Sequence, residues 1–222
     1  MKCLIAVPCM DTVDTMFSNC LLSLKKPEGT MIQFQSSSLV YDSRNKLADV
    51  AVEQGFTHIM WFDSDMVFES DTMMRLLEDL DEGHDIVTGL AFARRPPFTP
   101  CIYKKLRIGL AADEIETEHY LDYPKNELFE VEGCGCACCA MKVDVFRKMR
   151  EEDNELQPFS PIYPFGEDLS MCLRARRKGF KIFCDSRIRV GHVARTIVTE
   201  QQFLQYAEYE RIRNNGSNTD RS

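Results

Sequence analysis

The amino-acid sequence predicts an α/β fold in which a mostly parallel, mixed central sheet is flanked by helices. Short apolar runs alternate with segments of helical periodicity over the first ninety residues, which is typical of successive β–α–β units. The run at 57–62 is apolar on both faces, as a central parallel strand is. Polar and acidic residues follow where such runs end, which is where open α/β sheets bind ligands.

The elements of the first half follow from periodicity and from residues that stop helices. Four apolar runs are predicted to be strands: 3–8, 30–35, 57–62 and 85–92. Three segments between them are predicted to be helices: 15–25, 45–54, and the stretch between a cap at Ser70 or Asp71 and Gly83. Glycines at the ends of the second and third helices are good C-terminal stops.

The second half is less regular. From Arg94 to about residue 130 we expect an irregular region that can cover a site as a flap. Beyond it, strands are predicted at 136–141, 181–184 and 188–191, and helices at 143–150, 168–178 and 201–213. Residues 214–222 are polar and are expected to be a disordered tail. No linker or repeat interrupts residues 1–213, so they are predicted to form a single domain.

Composition excludes several classes of protein. The net charge of −8 argues against a broad basic face, so no nucleic-acid partner is expected. No apolar run approaches the roughly 20 residues that span a bilayer, so no transmembrane segment is expected. The N-terminal apolar run is short and is followed by Asp11 and Asp14, so it fits a first strand better than a signal peptide.

Ten cysteines would suit a disulfide framework in a small secreted domain, but most of them lie inside apolar patterns. We therefore expect buried free thiols in a reducing, cytoplasmic compartment. The cluster between Cys134 and Cys139 is the sharper case, since thiols can hold zinc or an iron–sulfur cluster. It lacks a paired C-x-x-C arrangement, so a Gly-x-Gly loop entering a buried strand is favoured.

Three acidic or basic motifs can carry chemistry. Asp63 and Asp65 end the apolar run at 57–62, and His192 follows a strand and Gly191. Two carboxylates and an imidazole suit a divalent cation, so Asp63, Asp65 and His192 are the expected metal ligands. The alternatives are a chance D-x-D pattern with solvated carboxylates and a structural histidine.

Glu167 and Asp168 open a predicted helix, whose N-terminus favours negative charge. They are either plain helix-end acids or, because the same effect keeps a carboxylate ionised and oriented, a general base and its neighbour. Arg44 precedes the predicted helix at 45–54 and is either a phosphate ligand or a surface arginine.

The order of these motifs carries a resemblance. The sequence has, in this order, Val7-Pro8, Arg44-Asn45, Trp61-Phe62-Asp63-Ser64-Asp65, Gly133-x-Gly135, Gly166-Glu167-Asp168-Leu169-x-x-Cys172-x-Arg174, Gly179-x-Lys181-Ile182 and Val190-Gly191-His192. Over about residues 3–193 the chain resembles a nucleotide-sugar glycosyltransferase of the GT-A fold, similar to the glycosyltransferase family 2 group.

The resemblance implies a role for each matching position. Asp65 and His192 would bind Mn²⁺ or Mg²⁺, which bridges the donor diphosphate, and Asp63 would position the ribose or metal-bound waters. The matching nucleotide-pocket positions are Pro8, Asp11 and Arg44, and those of a turn near the donor sugar are Gly133 and Gly135. Asp168 would be the general base and Glu167 would orient the acceptor, a carbohydrate, lipid-linked or protein hydroxyl, for transfer with inversion.

The sequence departs from the family in one respect and leaves rivals open. Family members often carry an acidic residue after the second strand to bind uracil, whereas Ser36-Ser37-Ser38 stands here. A haloacid-dehalogenase-type phosphatase would use Asp63 and Asp65, although its nucleophile usually ends the first strand. A sugar-1-phosphate nucleotidyltransferase would need a Gly-rich basic loop after the first strand, where Pro8-Cys9-Met10-Asp11 stands. A non-catalytic nucleotide- or carbohydrate-binding domain is the remaining alternative.

Overall fold

A computed structural model describes residues 1–109, 115–151, 153–195, 200 and 204. The predicted helix at 201–213 lies outside the described residues except for Leu204, and the predicted tail at 214–222 lies wholly outside them. The prediction of a single domain over 1–213 therefore stays a prediction. No helix among the described residues is both long enough and apolar enough to cross a membrane.

Five helices alternate with twelve strands in the described part of the chain. The helices are α1 (Thr15–Ser23), α2 (Val40–Glu53), α3 (Thr72–Asp81), α4 (Asp144–Met149) and α5 (Glu167–Arg177). The strands are β1 (Cys3–Cys9), β2 (Met31–Ser36), β3 (His58–Phe62), β4 (Met66–Val67), β5 (Ile86–Leu90), β6 (Ile102–Ile108), β7 (Ile115–His119), β8 (Leu128–Val131), β9 (Gly133–Cys134), β10 (Cys138–Lys142), β11 (Ile182–Arg189) and β12 (Gly191–His192).

Seven strands form the central sheet, in the order β2-β1-β3-β10-β5-β11-β8. β2, β1 and β3 are parallel to one another, as are β5 and β11, whereas β10 and β8 run antiparallel to their neighbours. Five of the seven strands thus point the same way, which confirms the predicted mixed, mostly parallel sheet. A second pair joins β12 to β4, and a third sheet has the order β7-β6-β9.

Apolar side chains cover both faces of this sheet. Trp61 and Phe62 point to opposite faces because successive strand residues alternate. Trp61 packs with Phe146 and Phe159 on the side of α2, α4 and α5, and Phe62 stacks on Phe68 on the side of α1 and α3. A strand buried on both sides needs the continuous apolar run from which β3 was predicted.

Three sequence predictions are corrected by the structure. α2 begins at Val40 rather than at residue 45, after a turn in which the Ser37 hydroxyl accepts a hydrogen bond from the Leu39 amide. The region from Arg94 to 130 is not irregular, since it holds β6, β7 and β8. The two short strands predicted at 181–184 and 188–191 are mainly one strand, β11, whose pairing with β5 is irregular between Asp185 and Arg189.

The sheet gathers loops from distant parts of the chain at one edge. β1, β3, β5 and β11 point the same way, so the segments that follow them leave from a common edge, called here the carboxyl edge. β10 runs the other way, so the segment before it meets the same edge. Asp63, Asp65 and His192 lie on these segments, whereas Arg44 lies on α2 and Glu167 and Asp168 begin α5.

A buried acidic pair links α3 to β11. Asp79 and Asp185 are both almost fully buried, and Arg187 lies 3.2 Å from Asp79 and 2.8 Å from Asp185. Burial, together with the negative charge of Asp185, raises the pKa of Asp79 to about 6. The folded protein therefore holds a proton here that an unfolded chain releases near pH 4.

This pair predicts how stability depends on pH. Because the folded pKa of Asp79 lies above its unfolded value, its stabilising contribution is present at pH 4 and is lost as the pH rises through about 6. Asp79→Asn should therefore stabilise the protein at pH 8 by about 2 kcal/mol more than at pH 4. Urea denaturation at both pH values measures this difference. Glu78→Gln, an exposed neighbour on α3, is the control and should show no such dependence. A pH-independent effect of Asp79→Asn would refute the raised pKa of Asp79 in the folded protein.

Candidate functional site

The centre of the carboxyl edge is a buried arginine surrounded by carboxylates. The Arg44 side chain is 1% exposed, and its Nη2 donates a hydrogen bond to Asp63 Oδ1 at 2.8 Å. Its Nε lies 3.3 Å from Asp168 Oδ1 and 3.8 Å from Glu167 Oε1. This group of four side chains, called here the Arg44 cluster, joins the end of β3 to the start of α5.

Aromatic rings and a neighbouring amide hold the arginine in place. Its guanidinium carbon lies 5.6 Å from the Trp61 ring centre and 5.8 Å from that of Phe159, a range in which cation–π attraction operates. Asn45 Oδ1 accepts a hydrogen bond from the Phe159 amide at 2.9 Å, which fixes that loop. The sequence named the Arg44-Asn45 pair but missed this role of Asn45, because the partner loop lies more than a hundred residues away.

The Arg44 cluster carries more negative than positive charge. Burial raises the pKa of Glu167, and the nearby charge of Asp168 raises it further. Burial also raises the pKa of Asp63, although Arg44 opposes the change. The pKa of Arg44 is itself raised, because attraction to Asp168 and Asp63 outweighs its burial. The guanidinium therefore stays charged among these acids, and the carboxyls of Asp63 and Glu167 bind protons more readily than free ones do.

Asp65 and His192 meet at the same edge, 127 residues apart in sequence. His192 Nε2 lies 3.2 Å from Asp65 Oδ2. The pairing of β12 with β4 sets this approach, with His192 opposite Met66 and the Val193 amide donating to Asp65 O at 2.9 Å. The hydrogen bond to Asp65 raises the pKa of His192. Burial raises the pKa of Asp65, but the bond and charge of His192 and the charge of Arg94 outweigh it and lower the pKa.

The orientation of the His192 ring suits a metal ligand. Its Nδ1 lies 3.2 Å from Phe92 O, and because a carbonyl only accepts, this nitrogen carries the hydrogen. In the free protein Nε2 shares a proton with the Asp65 carboxylate, in agreement with the raised pKa of His192. Once that proton is lost, the Nε2 lone pair and the carboxylate face each other and can hold a cation, and a hydrogen bond at the other ring nitrogen is usual for metal-bound histidines.

Asp63 does not join this pair. Its Oδ1 accepts from Arg44, and no group of three or more His, Cys, Asp or Glu side chains in the described part of the chain is arranged to hold a metal ion. The expected metal site therefore reduces to two protein ligands, Asp65 and His192. Such a site fits Mg²⁺ or Mn²⁺ when substrate oxygens and waters complete the coordination, since Mg²⁺ is commonly held by one or two carboxylates plus phosphates.

A cavity of about 480 Å³ opens beside Asp65. Its lining, which defines the Asp65 cavity, consists of Met10, Thr12, Val13, Asp14, Ser64, Asp65, Arg94, Arg95, Val193, Ala194 and Arg195. Arg94 Nη1 donates to Asp65 Oδ2 at 2.6 Å. Three arginines beside two carboxylates make this cavity attractive to an anion such as a diphosphate. From the sequence, Arg94 and Arg95 were predicted only to begin an irregular region.

A second, smaller cavity of about 290 Å³ lies at the start of α5. The lining of this Asp168 cavity is Cys101, Tyr103, Gly135, Gly166, Glu167, Asp168 and Leu169. Asp168 Oδ1 is buried against Arg44, but the side chain is 23% exposed, so Oδ2 is the oxygen left to face the cavity. Cys101 and Tyr103 lie on or beside β6, which the sequence did not predict, and so were missed.

The remaining predicted residues fall into different places. Gly135 lines the Asp168 cavity, where an added Cβ would lie 3.7 Å from Asp168 Oδ2. Gly133 is buried in β9, where a Cβ would lie 2.7 Å from Leu106 Cδ2, so it serves close packing. Pro8 is buried in β1, and Asp11 is exposed in the loop that contributes Met10 and Thr12 to the Asp65 cavity. Arg44 points to carboxylates rather than into that cavity.

The cysteines beside the site are free and buried. Cys134, Cys136, Cys138, Cys139 and Cys172 are all fully buried, and all ten cysteines are free thiols. Burial raises the pKa of Cys138, which keeps the thiol protonated and unreactive. The residues from Cys138 onward form β10 as predicted.

Another cavity lies away from these residues. It measures about 760 Å³ and lies between α2, α4 and the loop at 154–157, where it contains none of the predicted site residues. Arg150 in this cavity donates to Asp49 and to Leu156 O, so its charge is already paired. We assign no function to it.

Comparison with solved structures identifies the fold. The chain is similar to A197 from STIV, with a TM-score of 0.59 and 18% identity over 88% of this chain and 87% of that one. It is also similar to GalNAc-T7, solved with UDP, GalNAc and Mn²⁺, with a TM-score of 0.55 and 9% identity over 88% of this chain and 44% of that one. No protein-family model and no curated protein sequence matches it. These likenesses, with the sheet described above, establish the GT-A fold.

The Arg44 cluster predicts a large effect of one substitution. Arg44→Met removes the positive charge and leaves three carboxylates facing one another, which should destabilise the protein by about 3–5 kcal/mol at pH 8. At pH 5 the loss should be smaller, because Asp63 and Glu167, whose pKa values are raised by burial, take up protons in the folded state. Guanidinium denaturation at the two pH values measures both.

Lys46→Met is the matched control for this prediction. Lys46 lies two residues along the same helix, and its ion pair with Asp42 is exposed, so its loss should cost less than about 1 kcal/mol. Equal effects of the two substitutions would show that the Arg44 ion pairs do not organise the fold.

Proposed function

We propose that this protein is a metal-dependent glycosyltransferase that moves a sugar from a nucleoside-diphosphate sugar to an acceptor hydroxyl. The observation that carries the proposal is the meeting, at one sheet edge, of a carboxylate–imidazole pair and a partly buried carboxylate pair. Asp65 and His192 line or adjoin the arginine-rich cavity, and Glu167 and Asp168 line the other. The Arg44 cluster lies between them through Asp63.

The Asp65 cavity is proposed to bind the donor. Its arginines suit the diphosphate, and Asp65 in its lining, with His192 beside it, would hold Mn²⁺ or Mg²⁺. When bound, the cation would neutralise the negative charge that grows on the leaving group. Asp63, fixed by Arg44, is proposed to orient the ribose or the waters around the cation. The sequence makes Arg44 a candidate ligand of the diphosphate. We do not propose that role, because Arg44 is already paired with carboxylates.

The Asp168 cavity is proposed to bind the acceptor. Asp168 Oδ2 takes the proton from the acceptor hydroxyl, and Glu167 orients that hydroxyl. The freed oxygen forms a bond to the anomeric carbon while the bond from that carbon to the diphosphate oxygen breaks. Attack from the face opposite the leaving group gives inversion through an oxocarbenium-like transition state. The acceptor is proposed to be a carbohydrate, lipid-linked or protein hydroxyl.

Two further lines support this function over the rivals. GalNAc-T7, which shares the fold, was crystallised with a nucleotide, a sugar and Mn²⁺. A phosphatase of the haloacid-dehalogenase type needs a free nucleophile at Asp63, whereas Asp63 Oδ1 accepts a hydrogen bond from Arg44. The cytoplasmic location stays a prediction that rests on the cysteine pattern.

The nucleobase of the donor can be identified by a binding experiment. Ser36 donates its hydroxyl proton to Met10 O at 2.8 Å, so the serine stretch lies beside the loop that borders the Asp65 cavity. A hydroxyl group both donates and accepts, so this position lacks the selective acceptor that a carboxylate offers to uracil. A thermal-shift panel of nucleoside diphosphates and their sugars, with and without Mn²⁺, identifies the donor. No Mn²⁺-dependent shift with any of them would reject the proposed function.

The proposed roles predict that binding and chemistry separate in two variants. Asp168→Asn keeps size and shape but cannot accept the proton, so sugar transfer or donor hydrolysis should fall about 10²–10⁴-fold. The Mn²⁺-dependent affinity for the donor should change little. Asp65→Asn should do the reverse and weaken donor binding itself. Calorimetry and turnover assays measure the two effects. Transfer at the wild-type rate by Asp168→Asn would make Glu167 the next candidate for the base.

A test of the phosphatase rival uses Asp63. The glycosyltransferase assignment predicts no hydrolysis of a generic aryl phosphate by the wild-type protein. Turnover of that substrate that disappears in Asp63→Asn would favour the rival. Asp71→Asn is the control for a nonspecific loss of phosphatase activity, because it changes another acidic residue shortly after β4.

A further inference from the structure

Arg94 is a residue of the Asp65 cavity that the proposed mechanism leaves without a separate role. Its Nη1 lies 2.6 Å from Asp65 Oδ2, the same oxygen that lies 3.2 Å from His192 Nε2. The Arg94 guanidinium therefore forms an ion pair with Asp65, the carboxylate of the proposed metal pair. A divalent cation held by Asp65 and His192 needs the same oxygen or its immediate surroundings, so the arginine and the cation compete.

The two partners of Asp65 are attached in different ways. Main-chain contacts fix Asp65 and His192, since Val193 N donates to Asp65 O and Phe92 O accepts from the imidazole. Arg94 reaches Asp65 only through its own side chain, which is 54% exposed. Exposed ion pairs are weak, because solvent screens them and two side chains must be ordered. An arriving cation therefore displaces Arg94 and leaves the other two groups in place.

The released guanidinium stays within reach of the donor site. Arg94 lies on a hairpin of residues 91–101, which is closed by the hydrogen bonds from Ala93 N to Thr99 O and from Cys101 N to Ala91 O, both 2.9 Å. The backbone of Arg94 is anchored by these bonds, so only the side chain has to move. Its neighbours in the Asp65 cavity include Arg95 and Arg195, so phosphate oxygens are the partner that this environment favours.

We propose that Arg94 occupies the place of the divalent cation in the free protein and transfers to the donor diphosphate when the cation binds. The proposal rests on the proposed function, because it requires the metal pair at Asp65 and His192. It makes Arg94 a positioning residue with two opposite effects. Arg94 weakens the binding of a cation alone and strengthens the binding of a diphosphate once the cation is present.

The test measures Mn²⁺ alone and then inorganic pyrophosphate, which carries the diphosphate common to all candidate donors. Titration followed by electron paramagnetic resonance should show Mn²⁺ binding about two- to fivefold more tightly to Arg94→Met than to the wild type. At saturating Mn²⁺, calorimetry should show pyrophosphate binding about tenfold or more weakly to the same variant. Arg94→Lys keeps the charge and should lie between the wild type and Arg94→Met in both measurements.

Arg95→Met is the matched control, because it removes the same charge from the next residue of the same cavity. It should leave the affinity for Mn²⁺ alone within twofold of the wild type. Equal Mn²⁺ affinities for the wild type, Arg94→Met and Arg95→Met would overturn the role of Arg94 while leaving the metal pair intact. If the wild type binds no Mn²⁺ and His192→Ala changes nothing, the proposed function itself fails. Tighter Mn²⁺ binding in Arg94→Met without weaker pyrophosphate binding would overturn the transfer step.

Discussion

The ion pairs of the buried Arg44 guanidinium with three carboxylates are the interaction on which the site depends. A buried charge is very unfavourable unless opposite charges and hydrogen bonds compensate it. Asp63 provides a hydrogen bond, and Glu167 and Asp168 provide negative charge within 4 Å of the guanidinium. Since Asp63 ends β3 and the other two begin α5, the same contact fixes the distance between the two halves of the site.

The charges around Arg44 divide the carboxyl edge into two regions of different chemistry. On the side of Asp168, carboxylates outnumber the single arginine, which suits the removal of a proton from a neutral hydroxyl. On the side of Asp65, arginines line the cavity, which suits an anionic leaving group. Burial raises the pKa values of Asp63 and Glu167, and the neighbouring carboxylates raise them further. A transfer reaction needs both regions, and a simple binding domain needs only one.

The sequence predicted most elements of the core but fewer of those around the site. The buried strands β1, β3 and β10 have continuous apolar runs, so their positions were clear. β6 and β7 were missed because their exposed positions carry pairs such as Lys105 with Glu116, which obscure the alternation. The early start of α2 was missed because its first turn, from Val40 to Ser43, has no periodic apolar pattern.

The site shows the same limit of sequence reasoning. The convergence of Asp65 with His192 followed from strand ends that share one edge, and the structure places them together. The resemblance that assigned Arg44 to the nucleotide pocket did not reveal its partners, because they depend on where the side chain turns after leaving α2. Arg94 carried no motif, and only the hairpin at 91–101 brings it to Asp65. Contacts between loops of distant elements have no periodic signal in a single sequence.

The chain has four histidines, and they offer the most direct measurement of the central claim, that Asp65 and His192 form the metal site of this edge. Mn²⁺ broadens the nuclear magnetic resonance signals of groups close to it. His58 begins β3, at the opposite end from Asp63, and His84 precedes β5, so both lie away from the carboxyl edge. The account predicts that substoichiometric Mn²⁺ broadens the ring signals of His192 while those of His58 and His84 persist. Uniform broadening, or loss of the His58 or His84 signal first, would contradict it.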